Sequence, residues 1–500
     1  MGFIDGIDRQ CVRQARAHLL PLMCTAAVGL LLFYRLGDLS LDPDEGRIIE
    51  WTNILLAENP TILGLFVSFV KNGGLVPLGE IVDYRQLYPG INIYLTALSF
   101  HVFGVSIWAA RLPSAVIGLF TVPVFYASAR RLLPTGMSPQ IGLLLFATSA
   151  PLLFLMRQAR YTSTTVLMTL LLVLAYLAVL ERKRFALIYL SIVSLLFFYT
   201  AYYVFCPVAL GLVCHALAFT SASVRKRVAV LFCLLLLCIT LAGAVLQLGP
   251  IWFLDTIGYI LSRRAPIMVL NNLHLAAFEM NLLGIPFVLA VIYLGCLGPG
   301  GRRDPQFFTA IGLWAVFMIM QSSFGAVLCG YASGVLNPVW PYRGGWLQNR
   351  LVDPRSWSVI CLCSGAFMVV QGLRKTTSSD AKLLAIPVIM VMGAIAGYSL
   401  LYPSIWTRYV ACLVVLAFIP GAYMLEHILV RQKLVGYALI VLLIGTNLLS
   451  VVPFSSGHYP YLDWKLPHWT YRLFSDDPIS EVIYNFYTDH RQVNAGVPNE

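Results

Sequence analysis

RQARYTSTTVLMTLLLVLAYLAVLERKR, residues 157–184, is the stretch whose reading decides the fold. Between its two basic ends, positions 162–180 hold no charged side chain. As an α-helix this run is about 28 Å long, enough to cross a hydrocarbon layer roughly 30 Å thick. It lacks the polar–apolar alternation of a barrel strand, and a helix satisfies its own backbone hydrogen bonds in lipid. The chain therefore reads as an all-α polytopic membrane protein.

Working outward, similar apolar runs recur at about 18–35, 109–129, 139–156, 185–203, 205–220, 228–248, 281–297, 306–330, 357–373, 383–401, 408–428 and 434–452. Composition agrees. With 59% hydrophobic and 11% charged residues and a mean hydropathy of +0.79, the apolar surface exceeds what a water-soluble core can hide. The net charge of +11 does not indicate nucleic acid, because no basic stripe sits on a soluble domain. It reflects lysines and arginines retained on the cytosolic side. Most of the 11 cysteines, among them Cys206, Cys233, Cys238 and Cys412, lie in apolar runs, where a thiol acts as a small hydrophobe. Cys361 and Cys363 have no second pair to complete a zinc site.

Seven short basic groups set the topology: Arg9/Arg13/Arg16, Arg130/Arg131, Arg182/Lys183/Arg184, Arg225/Lys226/Arg227, Arg302/Arg303, Arg374/Lys375 with Lys382, and Arg431/Lys433. Placing all of them in the cytosol requires an even number of crossings between consecutive groups. The result is about 13 transmembrane helices, with the amino terminus cytoplasmic, the carboxyl terminus outside and a start-transfer helix first. It also requires Ile62–Val70 and Ile91–Gly104 to lie along the membrane surface rather than cross it. Residues 36–108 then form one acidic first outer loop with interfacial helices, within a membrane domain of 1–452. A soluble outer tail, 453–500, follows, with Ile479, Val482, Ile483 and Phe486 on one face of an amphipathic helix.

The outer loop opens with Asp42-Pro43-Asp44-Glu45, which predicts a surface helix toward Leu56 with Asp42 as cap, Pro43 in the first turn and Glu45 completing a capping box. That leaves Asp44 unassigned. A carboxylate at a helix start stays ionised, so Asp44 suits the role of general base. Arg157 and Arg160 end the third run on the outer side, where retention of positive charge does not call for them. They read either as side chains snorkelling to headgroups or as a fork for phosphate. Arg263-Arg264, with His274 nearby, and Arg408-Tyr409 fall on the same face.

The Asp-Glu pair after helix one, Tyr88-Pro89-Gly90, His101-Val102-Phe103-Gly104, Ala109-Ala110-Arg111-Leu112-Pro113-Ser114, Arg157-Gln158-Ala159-Arg160-Tyr161 and the late Arg408-Tyr409 together resemble the C-type membrane glycosyltransferases. Within them the chain is similar to the protein O-mannosyltransferase-like branch, which includes the lipid A aminoarabinose transferases. The resemblance implies inverting transfer of a sugar from a polyprenyl-phosphate donor to a lipid (lipid A), glycan or protein acceptor. It further implies a site facing the periplasm or lumen and, for a bacterial protein, residence in the inner membrane.

Carried over, Asp44 matches the catalytic base with Glu45 beside it. Arg157, Arg160, Arg263, Arg264 and Arg408 become candidates for the donor phosphate, and Asp83, Tyr88, Tyr161, His274 and Tyr409 for substrate contact. The chain departs from its relatives at Tyr88, which stands where they often carry Lys or His before the proline; Asp83 or Glu80 is the alternative there. No cofactor is expected, and a divalent ion at Asp42, Asp44 and Glu45 is the minor alternative. A transporter or flippase of lipid-linked sugar, and a polysaccharide ligase, are the rival functions. A carrier is disfavoured by the absence of mid-membrane charge and of inverted broken helices.

Overall fold

The computed structural model describes residues 19–34, 36–37, 43–71, 75–76, 88–133, 136–245, 379–401, 407–434, 436–441 and 444. The expected spans 281–297, 306–330 and 357–373, most of 434–452, and the tail from 453 lie outside them. So do Cys361 and Cys363.

The first span is α1, Leu19–Phe33. In the outer loop, α2 (Pro43–Glu58) and α3 (Ile62–Lys71) are followed by β1 (Leu75–Val76) and β2 (Tyr88–Pro89), then α4 (Ile91–Phe103). The two short strands pair antiparallel, Leu75 with Pro89 and Val76 with Tyr88, closing the segment between them at its base. The predicted surface helix is α2, with Pro43 at its start, where a missing amide costs nothing. At 10 and 13 residues, α3 and α4 are shorter than the roughly 20 a single helical crossing needs.

The bundle continues with α5 (Ile107–Leu132), α6 (Ser138–Thr148), α7 (Ala150–Arg157), α8 (Thr162–Leu180), α9 (Ala186–Phe219), α10 (Ala222–Val245), α11 (Ser379–Leu401) and α12 (Thr407–Arg431). Among the described residues three helices are long and apolar enough to cross a membrane: Ile107–Leu132, Thr162–Leu180 and Ala411–Val430. In the first half of α9, Ile188, Ile192, Leu195 and Leu196 are exposed along one stripe, the face a helix turns to lipid rather than water. The chain is an integral membrane protein of helical architecture.

One expected span differs in detail, and one expected break is met. The run 139–156 divides at Ser149 (φ −71°, ψ 90°) into α6 and α7, because Pro151 opens the second piece and cannot continue the first. The runs 185–203 and 205–220 appear as α9 with a break at Ala201 (φ −166°, ψ 77°). Phe197 and Phe205 bring their ring centroids to 5.6 Å, closer than two turns of straight helix, roughly 12 Å, would place their backbones.

The ends of the helices are tied in two groups. At one end, Glu181 after α8 pairs with Arg131 at the close of α5, and Lys183 Nζ lies 3.0 Å from the same carboxylate. Burial pushes that carboxyl up, but hydrogen bonds from Arg131 and Lys183 outweigh it and hold it below the usual range. Beside it, Glu426 of α12 caps α6: its carboxylate accepts from the Met137 amide at 2.5 Å, the Ser138 amide at 2.9 Å and the Ser138 hydroxyl. The turn needs Gly136, at φ +84°, where a side chain would collide with Glu426. The helix ends near the basic groups around 130, 182 and 431 are thus tied together at one end of the bundle.

Packing is close where α9 meets α11. A Cβ at Gly211 would fall 2.5 Å from the Met390 carbonyl oxygen, and one at Gly393 would fall 2.5 Å from Gly211 Cα. Small residues let helices approach where lipid supplies no hydrophobic drive for them to associate. Gly211→Val is expected to force these helices apart and destabilise the protein by about 1–3 kcal/mol or more. Thermal unfolding in detergent measures this, and a transition matching the unmodified protein counts against the tight crossing.

Candidate active site

The opposite end of the bundle is organised by a buried ion pair. Glu45, in the first turn of α2, is fully buried, and Arg111, in the second turn of α5, is 2% exposed. Arg111 Nε donates to Glu45 Oε1 at 3.0 Å and Nη2 to Oε2 at 2.7 Å, a two-pronged match of guanidinium to carboxylate. The Ala159 amide donates to Oε1 at 2.7 Å. Arg111 Nη1 completes the fork on the Leu36 carbonyl at 3.1 Å. One pair of side chains therefore joins the exit of α1, the start of α2, the start of α5 and the segment between α7 and α8.

The surroundings fix this pair. Ser106 caps α5, accepting from the Ala109 amide at 3.1 Å, and Ser99 of α4 donates to the Ala109 carbonyl at 2.6 Å. Ser114, one turn after Arg111, donates to the Arg160 carbonyl at 3.1 Å. The phrase Ala109–Ser114 and the string Arg157–Tyr161, far apart in the chain, thus interlock.

Arg157 closes α7 and is 2% exposed. Its Nη2 donates to the Tyr34 carbonyl at 2.6 Å and its Nη1 reaches the Leu31 carbonyl at 3.4 Å. These belong to the last turn of α1 and its exit, where carbonyls lack helical partners and the dipole is negative. The side chain thus holds the end of α1 and does not snorkel to the headgroups. Arg160, 5% exposed, and Tyr161, 4% exposed, lie in the tight connection before α8.

The predicted residues divide accordingly. Glu45, Arg157, Arg160 and Tyr161 come together at one end, and Asp44 joins them through its backbone, one residue before Glu45 in α2. Glu45, expected to complete a capping box, reaches across to α5 and the α7–α8 segment. Tyr88 lies in β2 immediately ahead of α4. Arg408 and Tyr409 open α12, at the end away from Glu426 by about 27 Å of helix. Asp42, Asp83, Arg263, Arg264 and His274 lie outside the described residues, as do the side chains of Asp44, Tyr88, Arg408 and Tyr409.

Both Glu45 oxygens are engaged by protein donors. Among the described residues no three His, Cys, Asp or Glu side chains gather as metal ligands. Arg111 belongs to the phrase Ala109–Ser114, and its local sequence assigns it no role. Its signal was physical: an arginine just inside an apolar helix, away from the cytosolic groups, must find a carboxylate or carbonyls when buried.

These features define an integral membrane protein with a polar site at one end of its bundle, where a carboxylate-bearing helix start is pinned to an arginine-bearing segment. Residues 89–246, about a third of the chain, match the family model described as dolichyl-phosphate-mannose-protein mannosyltransferase. The match points to a glycosyltransferase and agrees with the resemblance read from the sequence. No curated protein sequence matches the chain. Two crystal structures of ArnT from Cupriavidus metallidurans are similar to it. The form bound to undecaprenyl phosphate has 12% identity and a TM-score of 0.43 over 90% of this chain and 76% of that one. The apo form has 14% identity and a TM-score of 0.43 over 92% and 76%.

Arg111→Ala removes the guanidinium from a fully buried carboxylate and is expected to cost about 3–5 kcal/mol of stability. Arg111→Lys cannot reproduce the fork and is expected to recover only part of that. Unfolding in detergent distinguishes the two; equal stability of Arg111→Ala and the unmodified protein removes the pin.

Proposed function

We propose that the chain transfers a sugar from a polyprenyl-phosphate-linked donor to a hydroxyl or phosphate on a lipid, glycan or protein, on the periplasmic or lumenal side of the membrane. Asp44 takes the proton of the acceptor. The freed oxygen attacks the anomeric carbon from the face opposite the phosphate, the carbon–phosphate oxygen bond breaks, and the sugar configuration inverts. The departing phosphate carries its own negative charge, so the main demand on that side is cationic stabilisation.

The observation that carries this reading is the bond from Glu45 to the Ala159 amide. It holds the helix start bearing Asp44 beside the segment bearing Arg157 and Arg160, so base and phosphate site share one end of the bundle. In this scheme Glu45 and Arg111 are positioning residues: they set where Asp44 emerges and touch no reacting atom. Arg157 supplies positive charge from its fixed place on α1, and Arg160 is the nearer phosphate contact. Arg263, Arg264 and Arg408 are assigned to the same phosphate, and Asp83, Tyr88, Tyr161, His274 and Tyr409 to the rest of donor and acceptor.

Loss of the base by Asp44→Asn is expected to lower turnover by about 10²–10⁴-fold while leaving the thermal transition in place. Transfer of radiolabel from a polyprenyl-phosphate sugar to an acceptor fraction measures it, and near-normal transfer by the variant removes the assignment. Arg160→Ala is expected to raise the donor KM about tenfold or more, as loss of a charge-assisted hydrogen bond does. Unchanged donor kinetics place the phosphate elsewhere. Label that crosses the membrane without entering any acceptor identifies a flippase instead.

A further inference from the structure

We propose that the amino terminus of α8, with Asn92 of α4 set against it, is a phosphate-binding subsite. The inference rests on the donor reading above and gives the carrier phosphate a second set of ligands besides arginine. Thr164, in the first turn of α8, donates its hydroxyl to Asn92 Oδ1 at 2.8 Å, and Asn92 is only 5% exposed. That bond fixes the carboxamide and commits its nitrogen to donate. Yet Nδ2 is buried and has no hydrogen-bond partner among the described residues.

The neighbours make this orphan informative. Thr96 donates to the Asn92 carbonyl, Ser99 to Ala109, Ser114 to Arg160, Ser163 to Met156 and Thr165 to Thr162. Each of these buried hydroxyls has found a backbone oxygen. Asn92 Nδ2 and the fully buried Thr162 Oγ1 have not, and both belong to, or lie against, the same helical turn. Buried donors are rarely left without an acceptor in a folded protein.

Further donors lie in that turn. The first α-helical bond of α8 runs from the Thr165 amide to the Tyr161 carbonyl at 2.8 Å, so the amides of Thr162, Ser163 and Thr164 precede it and lack helical partners. Tyr161 caps the helix without a side-chain bond to them. The site offers amide hydrogens at the positive end of a helix 19 residues long, just after Arg157 and Arg160. A ligand with several anionic oxygens fits that set, as phosphate does at other helix amino termini. A neutral hydroxyl uses only a small part of it.

The test measures binding to the full chain in detergent of three probes: a polyprenyl monophosphate, the corresponding polyprenol and inorganic phosphate. The unmodified protein is expected to prefer the monophosphate to the alcohol, with inorganic phosphate competing weakly. Asn92→Ala is expected to weaken the monophosphate about tenfold, the loss of one hydrogen bond to a charged group, and leave the polyprenol unchanged. Asn92→Asp removes the donors and adds a negative charge, so its loss is larger. Thr164→Val keeps shape but releases the carboxamide, and carries the test with a smaller loss of the same selectivity should the Asn92 variants fail to fold.

Variants that bind monophosphate as the unmodified protein does, or that lose monophosphate and polyprenol equally, overturn the subsite while the glycosyltransferase reading stands. An unmodified protein that does not distinguish monophosphate from polyprenol overturns both. Equal affinity for inorganic phosphate and the lipid-borne form keeps an anion site but detaches it from the donor, which overturns the inference as stated.

Discussion

A guanidinium buried in an apolar helix bundle must be matched by a carboxylate or by carbonyls, and Arg111 is matched by both. Away from water, the pair it forms with Glu45 is held by geometry, because separating the two charges leaves each in a medium that solvates it poorly. Such a pair contributes little net stability over an apolar replacement, but it permits few alternative arrangements. Here it removes freedom from four chain segments at once: the exit of α1, α2, α5 and the connection into α8. The outer loop is thereby docked on the bundle at a defined register instead of being hinged on α1 alone.

The two ends of the bundle are built differently. Around Glu181 the charges are partly exposed, with Arg131 at 29% and Glu181 at 43%, and water shares in holding them. Pairs of this kind contribute modestly and are screened by salt. At the Glu45 end both partners are 2% exposed or less, and the Ser114 and Ser163 hydroxyls are spent on backbone oxygens. Fixed polarity is thus concentrated at one end. Glu426 is the exception at the other: it joins α12 to α6 through a helix cap, a device that orders two helices without burying a charge pair.

Much of the fold was legible in composition. The span 162–180 matches α8 residue for residue, because an uncharged apolar run between polar ends has one way to meet lipid. The short α3 and α4 were legible from length together with the even-crossing constraint. The break in α9 was legible too, the runs 185–203 and 205–220 meeting within a few residues of Ala201; the one at Ser149 was not, since hydropathy does not register where a continuous apolar run bends. In the site, the helix from Pro43 could be read from local chemistry. Glu45 could not: its partners Arg111 and Ala159 lie far along the chain, while a capping box explains the same letters locally. Arg157 was read as snorkelling or binding phosphate, because sequence does not reveal that the end of α1 lies within its reach.

That use of Arg157 bears on the proposed chemistry. A guanidinium that donates to two carbonyls at the end of α1 is fixed in orientation by those contacts. The Glu45–Arg111 pair, by contrast, is neutral as a unit and adds little field beyond its own contacts. Together they anchor the α7–α8 segment, with its guanidinium, to the exit of α1 and to a neighbouring helix start. A charge already fixed has no reorganisation to undergo when negative charge develops on a leaving phosphate, and in a weakly polar setting that saving is large. The scaffold and the electrostatics are then one feature: the bonds that dock the outer loop also immobilise the cation the proposed reaction needs.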